Sequence, residues 1–367
     1  MHSKPMLHIQ LPPSKSLANR TLVTFAVEGK PLPSPDTSWS EDMLGMYRVL
    51  QGNGDAGAAG TGFRFGMAFW AAQEGKKIHL TGTPRLLVRP IMPLVEALRS
   101  LGAVINQRKD GSWDIEGVKL EGGKVAVDAS VSSQFISALY LIAPLMANPL
   151  ELTLMGDAVS APYVKMTKAV MADPEWPVEA DWSSAIVWAL RASCAGESIA
   201  LEGLTRCSLQ GDACWANWGL VLGFSAAYEG SSLVIRGLPS RPREAIQLDL
   251  KDCPDLAQPL VAAALLMRRE AHFTGLNTLD AKEIPRLQAM VAALKTLGLR
   301  DVYSDTSSLQ FDAKDWVPKE ESLVVDALDD HRMAFFWALI GLEQALDWRG
   351  ESAVAKSYPG FWKNWNA

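Results

Sequence analysis

Internal repetition constrains the fold of this chain more than any other feature of its sequence. In one pattern, a short β-prone run ends in Thr-Gly or Glu-Gly, and an amphipathic helix then stops at Leu-Gly before a predicted β-hairpin. In the other pattern, a predicted strand ends in an acidic residue and leads into a nearly all-apolar helix. A helix that is apolar on every side is buried on every side. The first pattern spans 78–117, 199–237 and 272–311, and the strands of the second are 125–128, 178–181, 246–250 and 323–326.

Alternation of the two patterns gives a β-α-β-α-β-β unit with one buried helix, one surface helix and a hairpin. Counting along the chain gives about six units, three on each side of Asp181. We therefore predict an α/β protein with two similar lobes. Two units are incomplete: residues 29–58 are too short for a strand, a helix and a hairpin, and no hairpin precedes 178–181.

Composition excludes several functional classes. The length of 367 residues suits two domains, and 48% hydrophobic with 21% charged residues is typical of a folded globular protein. A net charge of -6 without any run of five like charges argues against a nucleic-acid arm or a basic membrane patch. The four cysteines lack zinc or disulfide spacing, and the N-terminus lacks the apolar segment of a signal peptide. We predict a cytoplasmic protein without a metal, in which local basic residues would bind any anionic ligand.

Polar residues that could bind a small anion cluster where predicted strands pass into helices. The clusters at Lys15 and at Ser132 are, taken alone, also explained by helix capping or by solvated side chains. Cations at a helix N-terminus, in contrast, oppose the helix dipole and suggest another role, and a His-Arg pair before an apolar helix is hard to explain as surface. The Gly-rich segment 54–65 fits no nucleotide-binding fingerprint. The clusters are Lys15 with Arg20, Arg85 with Arg89, Ser132-Ser133-Gln134, Lys282-Glu283 with Arg286, and Asp330-His331-Arg332.

A series of motifs then resembles one known family in both content and order. The motifs are PSKSLANR, AGTGFRF, SSQFISAL, SAPYVKMT, AKEIPRL, DDHRMAFFWAL and AKSYPGFW. Together they are similar to the EPSP synthases of the enolpyruvyl transferase family. This resemblance implies two lobes, each an inside-out α/β barrel of three βαβαββ units. Residues 14–181 would form one lobe, and residues 1–13 with 182–367 the other.

The resemblance implies an activity and its substrates. The enolpyruvyl group of phosphoenolpyruvate would pass to the 5-hydroxyl of shikimate 3-phosphate and release phosphate, on the route to chorismate. It also implies a monomer that uses neither a metal nor an organic cofactor. Glyphosate, which inhibits many members of the family, would compete with phosphoenolpyruvate.

Site residues follow from the same resemblance, motif by motif. The base would be Lys15 or Asp255, and the acid Glu283. Because both substrates are anions, we expect the cations of each lobe to form an uncompensated positive surface. Residues for shikimate 3-phosphate would be Ser16, Arg20, Ser132, Ser133, Gln134, Ser160, Tyr163, Asp255 and Lys282. Residues for phosphoenolpyruvate would be Lys15, Gly60, Arg89, Gln134, Arg286, Arg332 and Lys356.

The chain departs from the family pattern at several positions, which leaves alternatives open. The family often has N-A-G-T-A-M-R-P where this chain has Ala58, Gly62, Phe63 and Phe65. Thr278 replaces a common asparagine, and Asp280 a common arginine. The alternatives are a UDP-N-acetylglucosamine enolpyruvyl transferase, a catalytically inactive binding homologue and, less compatible with the net charge, an RNA 3'-phosphate cyclase.

Overall fold

A computed structural model describes residues 5–128, 132–156, 161–239 and 243–367. Its strands are β1 (Leu7–Gln10), β2 (Lys77–Leu80), β3 (Val104–Gln107), β4 (Trp113–Glu116), β5 (Gly123–Asp128), β6 (Leu150–Met155), β7 (Ser198–Glu202), β8 (Phe224–Glu229), β9 (Ser232–Gly237), β10 (Ile246–Asp249), β11 (Glu270–Thr274), β12 (Val302–Ser304), β13 (Leu309–Asp312), β14 (Leu323–Asp326) and β15 (Leu346–Arg349).

Helices alternate with these strands along the chain. The α-helices are α1 (Lys15–Val27), α2 (Glu41–Leu50), α3 (Gly60–Ala71), α4 (Pro84–Leu87), α5 (Met92–Ser100), α6 (Ser133–Ile142), α7 (Ala161–Ala172), α8 (Trp182–Ala195), α9 (Gly219–Leu222), α10 (Ala257–Leu266), α11 (Arg286–Thr296), α12 (His331–Ile340) and α13 (Phe361–Trp365). Short 3-10 helices lie at Ala143–Leu145, Gly211–Trp218, Pro254–Leu256, Leu279–Ala281 and Glu351–Lys356.

The chain divides into two compact units, of which the first comprises Ser14–Val178. It contains an antiparallel sheet of order β2-β4-β3 and a parallel pair, β5 and β6. The predicted hairpin around Asp110-Gly111 is confirmed: β3 and β4 pair antiparallel, and Gly111 has φ +88° in the turn. A residue with a side chain rarely adopts that conformation, so glycine suits the turn.

Small residues let α2 and α3 approach each other closely in this unit. A Cβ atom on Gly66 would lie 2.3 Å from Cγ1 of Val49, and one on Gly62 would lie 3.2 Å from the backbone nitrogen of Met46. The departure from the family pattern at Gly62 therefore has a local reason. Within the shortened segment before α3, helix α2 packs directly against α3.

The second unit comprises Met1–Pro13 and Glu179–Ala367. Two of its sheets have the same topology, with strand orders β1-β7-β9-β8 and β10-β11-β13-β12. Each sheet contains a parallel pair and an antiparallel hairpin. The hairpins confirm the first sequence pattern. The remaining pair, β14 and β15, is parallel.

Apolar helices fill the core of the second unit. Every residue of α10 is buried, and α8 and α12 pack in the same core. The nearly all-apolar sequences of these helices predicted this burial. Fully burying one such side chain stabilises the fold by roughly 1.5–3 kcal/mol. The strongly buried helices therefore fix the loops at their N-termini.

The predicted strand at 178–181 is wrong. Ala180 makes a single bridge, to Pro13, and β7 pairs with β1 instead. Pro177 has no N–H to donate to a strand ladder. The Glu179 side chain accepts hydrogen bonds from the loop at 205–210.

The predicted α/β class is confirmed, whereas the count of six units and the inside-out barrel stay predictions. Among the described helices, none has both the length and the apolar character needed to cross a membrane.

Candidate active site

Lys15 begins α1 and faces a carboxylate rather than open solvent. Ser14 caps the helix by accepting a hydrogen bond from the Leu17 N–H. The Lys15 ammonium lies 3.0 Å from Oδ2 of Asp42, in the first turn of α2. Their side chains are 15% and 13% exposed. The alternative of a solvated surface lysine therefore does not fit this residue.

Arg20 is buried in the same unit among neutral groups. Its guanidinium donates to Oγ1 of Thr167 at 2.7 Å, to the carbonyl of Ser16 at 2.7 Å and to Oγ of Ser137 at 3.4 Å. The rings of Phe65 and Tyr163 lie 5.4 and 5.6 Å from its Cζ atom. Burial lowers the pKa of Arg20 to about 10, which still leaves it cationic at neutral pH.

Phe65, which replaces the family's proline, thus lies inside α3 and packs against Arg20.

The Gln134 amide is fixed from both ends. Its Oε1 accepts a hydrogen bond from Arg64 at 2.6 Å, and its Nε2 donates to Oγ1 of Thr61 at 3.2 Å. The Ser132 hydroxyl accepts from the Gln134 N–H and caps α6, which Ser133 begins. The capping interpretation of Ser132 is therefore confirmed. Its hydroxyl hydrogen is still available to a ligand oxygen, because a hydroxyl both donates and accepts.

Gly60, at the start of α3, lies against Arg89. A Cβ atom at position 60 would be 2.7 Å from Nη1 of Arg89 and 3.4 Å from Nη1 of Arg64. Glycine therefore leaves room for two guanidinium groups beside the N-terminus of α3. The remaining predicted residue of this unit, Ser160, lies outside the described residues.

In the second unit, Arg286 gathers three carboxylates. Its Nε lies 2.9 Å from Asp330, its Nη1 2.9 Å from Asp255 and its Nη2 2.7 Å from Glu283. Burial alone would lower the pKa of Arg286, but Asp330, Glu283 and Asp255 raise it above its usual value. These bonds use three of the five N–H donors of the guanidinium, which leaves two for a ligand. Lys282 joins the group, 3.4 Å from Asp255.

Arg332 is fully buried and only partly hydrogen-bonded. Its Nη1 donates to the carbonyl of Ser183 at 2.8 Å. Its Nη2 lies 3.9 Å from Asp255, beyond hydrogen-bond distance. Within the described residues, Nε and Nη2 have no hydrogen-bond partner. A buried cation with unused donors is suited to an anionic ligand.

Asp212 is a buried acid near these groups. Its Oδ2 accepts a hydrogen bond from the Ser183 hydroxyl at 2.5 Å. Burial, and then the charge of Asp255, raise the pKa of Asp212 to about 7, while the Ser183 hydrogen bond and Arg332 oppose the shift. A carboxyl that titrates near neutral pH can gain or lose a proton during a reaction.

Lys356 is held by Asp329. The ammonium lies 2.6 Å from the carbonyl oxygen and 2.6 Å from Oδ2 of this one residue. The lysine is 10% exposed in its side chain and the aspartate 73%. Lys356 is therefore held in place by two contacts with Asp329.

The expectation of an uncompensated positive surface is wrong for four of the predicted cations. The ammonium of Lys15 pairs with Asp42, and Lys282, Arg286 and Lys356 pair with carboxylates of the second unit. Such a carboxylate offsets part of the solvation energy that a buried cation loses when it leaves water.

Asp280 and Thr278, the other departures from the family pattern, have local environments of their own. The Asp280 carboxylate accepts hydrogen bonds from the Leu287 N–H at 2.9 Å and from the Gln288 side chain at 3.2 Å. It therefore stabilises the start of α11. The Thr278 hydroxyl is buried and has no hydrogen-bond partner among the described residues. Across those residues, no three His, Cys, Asp or Glu side chains are grouped to hold a metal ion.

Sequence reasoning missed four residues that shape these clusters: Asp42, Arg64, Asp212 and Asp329. Arg64 had a usable signal, since it lies four residues after Gly60 and thus on the same helix face. The three aspartates had no such signal, because each interacts with a cation or an acid that is distant in sequence.

Comparisons with known proteins agree with the motifs. The profile of the EPSP synthase family (3-phosphoshikimate 1-carboxyvinyltransferase) matches residues 48–174 and 172–365. A 3-phosphoshikimate 1-carboxyvinyltransferase of Bacteroides fragilis is 34% identical, with 96% of this chain and 93% of that protein aligned. The enzyme of the same name from Nitrosomonas europaea is 30% identical over 98% of this chain and 95% of its own length.

Solved structures show the same fold. An EPSP synthase from Acinetobacter baumannii superposes with a TM-score of 0.72 at 20% identity, covering 98% of this chain and 94% of that one. The enolpyruvyl transferase NikO from Streptomyces tendae gives 0.69 at 13% identity, covering 100% and 96%. The profile match, the full-length relatives and the shared fold place this chain in the EPSP synthase family.

Proposed function

We propose that this protein transfers the enolpyruvyl group of phosphoenolpyruvate to the 5-hydroxyl of shikimate 3-phosphate, giving 5-enolpyruvylshikimate 3-phosphate and phosphate. This is the activity of its family, and it serves chorismate biosynthesis. The observation that carries the proposal is the buried guanidinium of Arg332, with Nε and Nη2 unused among the described residues. Both substrates carry the phosphate or carboxylate groups that such donors bind.

The substrate roles are assigned by motif. Ser16, Arg20, Ser132, Ser133 and Tyr163 are assigned to shikimate 3-phosphate in the first unit. Arg20 supports this assignment, since it stays cationic although buried among neutral groups. The cations assigned to phosphoenolpyruvate are Lys15, Arg89, Arg286, Arg332 and Lys356.

The reaction needs three proton transfers and two changes at C2 of phosphoenolpyruvate, where one C–O bond forms and another breaks. A base, Lys15 or Asp255, accepts the proton of the 5-hydroxyl as its oxygen bonds to C2 of phosphoenolpyruvate. An acid, Glu283, supplies a proton to the methylene carbon, which gives a tetrahedral adduct. Phosphate then leaves C2, and the Glu283 carboxylate takes a proton back from the methyl group, which restores the double bond.

The geometry supports these roles because Arg286 bonds both Asp255 and Glu283 and so fixes their carboxylates. Such preorganised groups are a main source of rate enhancement.

Asp212 adds a third carboxyl to this group. Burial and then the charge of Asp255 raise its pKa to about 7. The charge of Asp255 therefore affects the protonation of Asp212.

Further parts of the proposal concern the state of the enzyme. We infer a cytoplasmic monomer that needs neither metal nor organic cofactor, because phosphorylated metabolites are its substrates and acid-base groups suffice for the chemistry. Sedimentation of the purified protein, and activity after treatment with EDTA, test the monomer and the lack of a metal requirement.

A phosphate-release assay tests the activity. Phosphate should appear only when phosphoenolpyruvate and shikimate 3-phosphate are both present, and UDP-N-acetylglucosamine should not replace the latter. The Arg332→Gln variant should lose at least tenfold in kcat/KM, about the worth of one charged hydrogen bond. The matched control is Arg349→Gln, at an exposed arginine of β15. Equal activity of the two variants would remove Arg332 from the site.

A further inference from the structure

A strained turn precedes the helix that carries Arg332. The N–H of Asp330 donates to the carbonyl of Ala327 at 2.9 Å, which closes a four-residue turn. Both central residues have positive φ, 54° at Leu328 and 56° at Asp329. Glycine and asparagine usually occupy such positions, because side chains clash with the backbone there. Two non-glycine residues in this conformation must be held by the surrounding structure.

The turn is held by contacts on both sides. Asp330 is buried, caps α12 through Oδ1 and bonds Arg286 through Oδ2. Asp329 contacts Lys356 twice, through its carbonyl oxygen and its carboxylate, at 2.6 Å each. The left-handed backbone at residue 329 thus directs two oxygens of a single residue at one ammonium.

These two contacts differ in kind. The carbonyl is neutral and fixes the position of Lys356, whereas the carboxylate neutralises its charge. A lysine assigned to an anionic substrate is therefore already paired with a protein anion. That anion is 73% exposed, whereas the neighbouring Asp330 is fully buried. Among these two carboxylates, only Asp329 can turn into solvent without breaking the cap of α12.

We propose that Asp329 is a positioning residue for Lys356 and that its carboxylate also limits the affinity of the enzyme for phosphoenolpyruvate. The carbonyl of Asp329 holds the ammonium in place. The carboxylate of Asp329 competes with the anionic groups of the substrate for the same charge. This inference rests on the proposed function and on the assignment of Lys356 to phosphoenolpyruvate.

The Asp329→Asn variant tests the inference because it removes the charge and keeps the carbonyl contact. Asparagine also accepts positive φ better than most residues. We expect KM for phosphoenolpyruvate to fall roughly three- to tenfold, the range for one partly solvated charge pair. The kcat should stay within about twofold. Asp329→Gly, which also suits the turn, should reproduce the fall in KM. The matched control is Asp315→Asn, which removes one exposed negative charge elsewhere in the unit.

The same change in a Lys356→Gln background shows whether the effect passes through the lysine. There, Asp329→Asn should leave KM for phosphoenolpyruvate unchanged. An equal fall in that background would overturn the inference, as would an unchanged or raised KM in both Asp329 variants. If Lys356→Gln alone left KM unaltered, the lysine assignment and the inference would both be lost. A wild-type protein that released no phosphate from the two substrates would instead refute the proposed function, and the inference with it.

Discussion

The raised pKa of Asp212 should make the free energy of unfolding fall as the pH rises. The side chain is buried, and its Oδ1 has no hydrogen-bond partner in the part of the chain that the structure describes. Burial and the charge of Asp255 raise its pKa from 3.8 to about 7. Replacing Asp212 with asparagine keeps an acceptor for the Ser183 hydroxyl and removes the titrating proton. The variant should therefore gain stability over the wild type as the pH rises.

The size and sign follow from the linkage between protonation and folding. Below pH 4, Asp212 is protonated in both the folded and the unfolded chain and contributes nothing. Between about pH 4 and pH 7, the unfolded chain loses this proton and the folded protein keeps it, so the free energy of unfolding falls. A shift of about three pKa units, at about 1.4 kcal/mol each, removes roughly 4 kcal/mol above pH 7.

Urea unfolding at pH 5 and pH 8 measures this effect. At pH 5 the wild type should have lost only about a third of this, so the advantage of Asp212→Asn should grow by roughly 2–3 kcal/mol between the two pH values. Asp315→Asn, at an exposed aspartate, should show no such growth. A difference between Asp212→Asn and wild type that is independent of pH, or that shrinks at pH 8, would refute the raised pKa.

Other predictions test individual contacts in the site. Gly60→Ala should displace Arg89 and raise KM for phosphoenolpyruvate. It should also raise the Ki of glyphosate, whose inhibition should be competitive with phosphoenolpyruvate. Unchanged values would contradict the 2.7 Å distance between a Cβ atom at position 60 and Nη1 of Arg89. Lys15→Ala should lower kcat/KM at least tenfold, and adding Asp42→Asn should restore thermal stability without restoring activity. Glu283→Gln should lower kcat by about 10²–10⁴-fold with little change in KM, and retention of a tenth of kcat would remove it as the acid.

The fold was predictable from sequence where local patterns dominate. The all-apolar sequence of α10 predicts burial on every side, and Asp110-Gly111 predicts the turn of a hairpin. The failure at 178–181 has the opposite cause. Its alternating pattern is typical of a strand, but β7 takes the place beside β1 and leaves Ala180 with one bridge. Which segment pairs with a given strand depends on the whole sheet, and a short stretch of sequence does not contain that information.

The site was predictable only in part, for a related reason. Motifs in the sequence identified the cations and several of the acids, such as Arg286 and Asp330, but not which cation each carboxylate contacts. They missed Asp42 altogether. Asp42 lies 27 positions from Lys15, and Asp330 lies 44 positions from Arg286. Pairs so far apart in sequence meet only through tertiary packing. An ordinary aspartate on a helix or turn carries no local mark of such a partner.

These carboxylates explain how a chain with a net charge of -6 can hold a buried cation at a site proposed for anions. Bringing Arg286 out of water without a partner would cost several kcal/mol, so folding requires counter-charges inside the protein. Three carboxylates supply them, and two of the three, Asp255 and Glu283, are also the proposed base and acid. Two of the residues that stabilise the buried cation are thus the same residues that we propose for the proton transfers. Protonation of either one during turnover would weaken a bond to Arg286 and free an N–H donor for the phosphate group that leaves the reacting carbon.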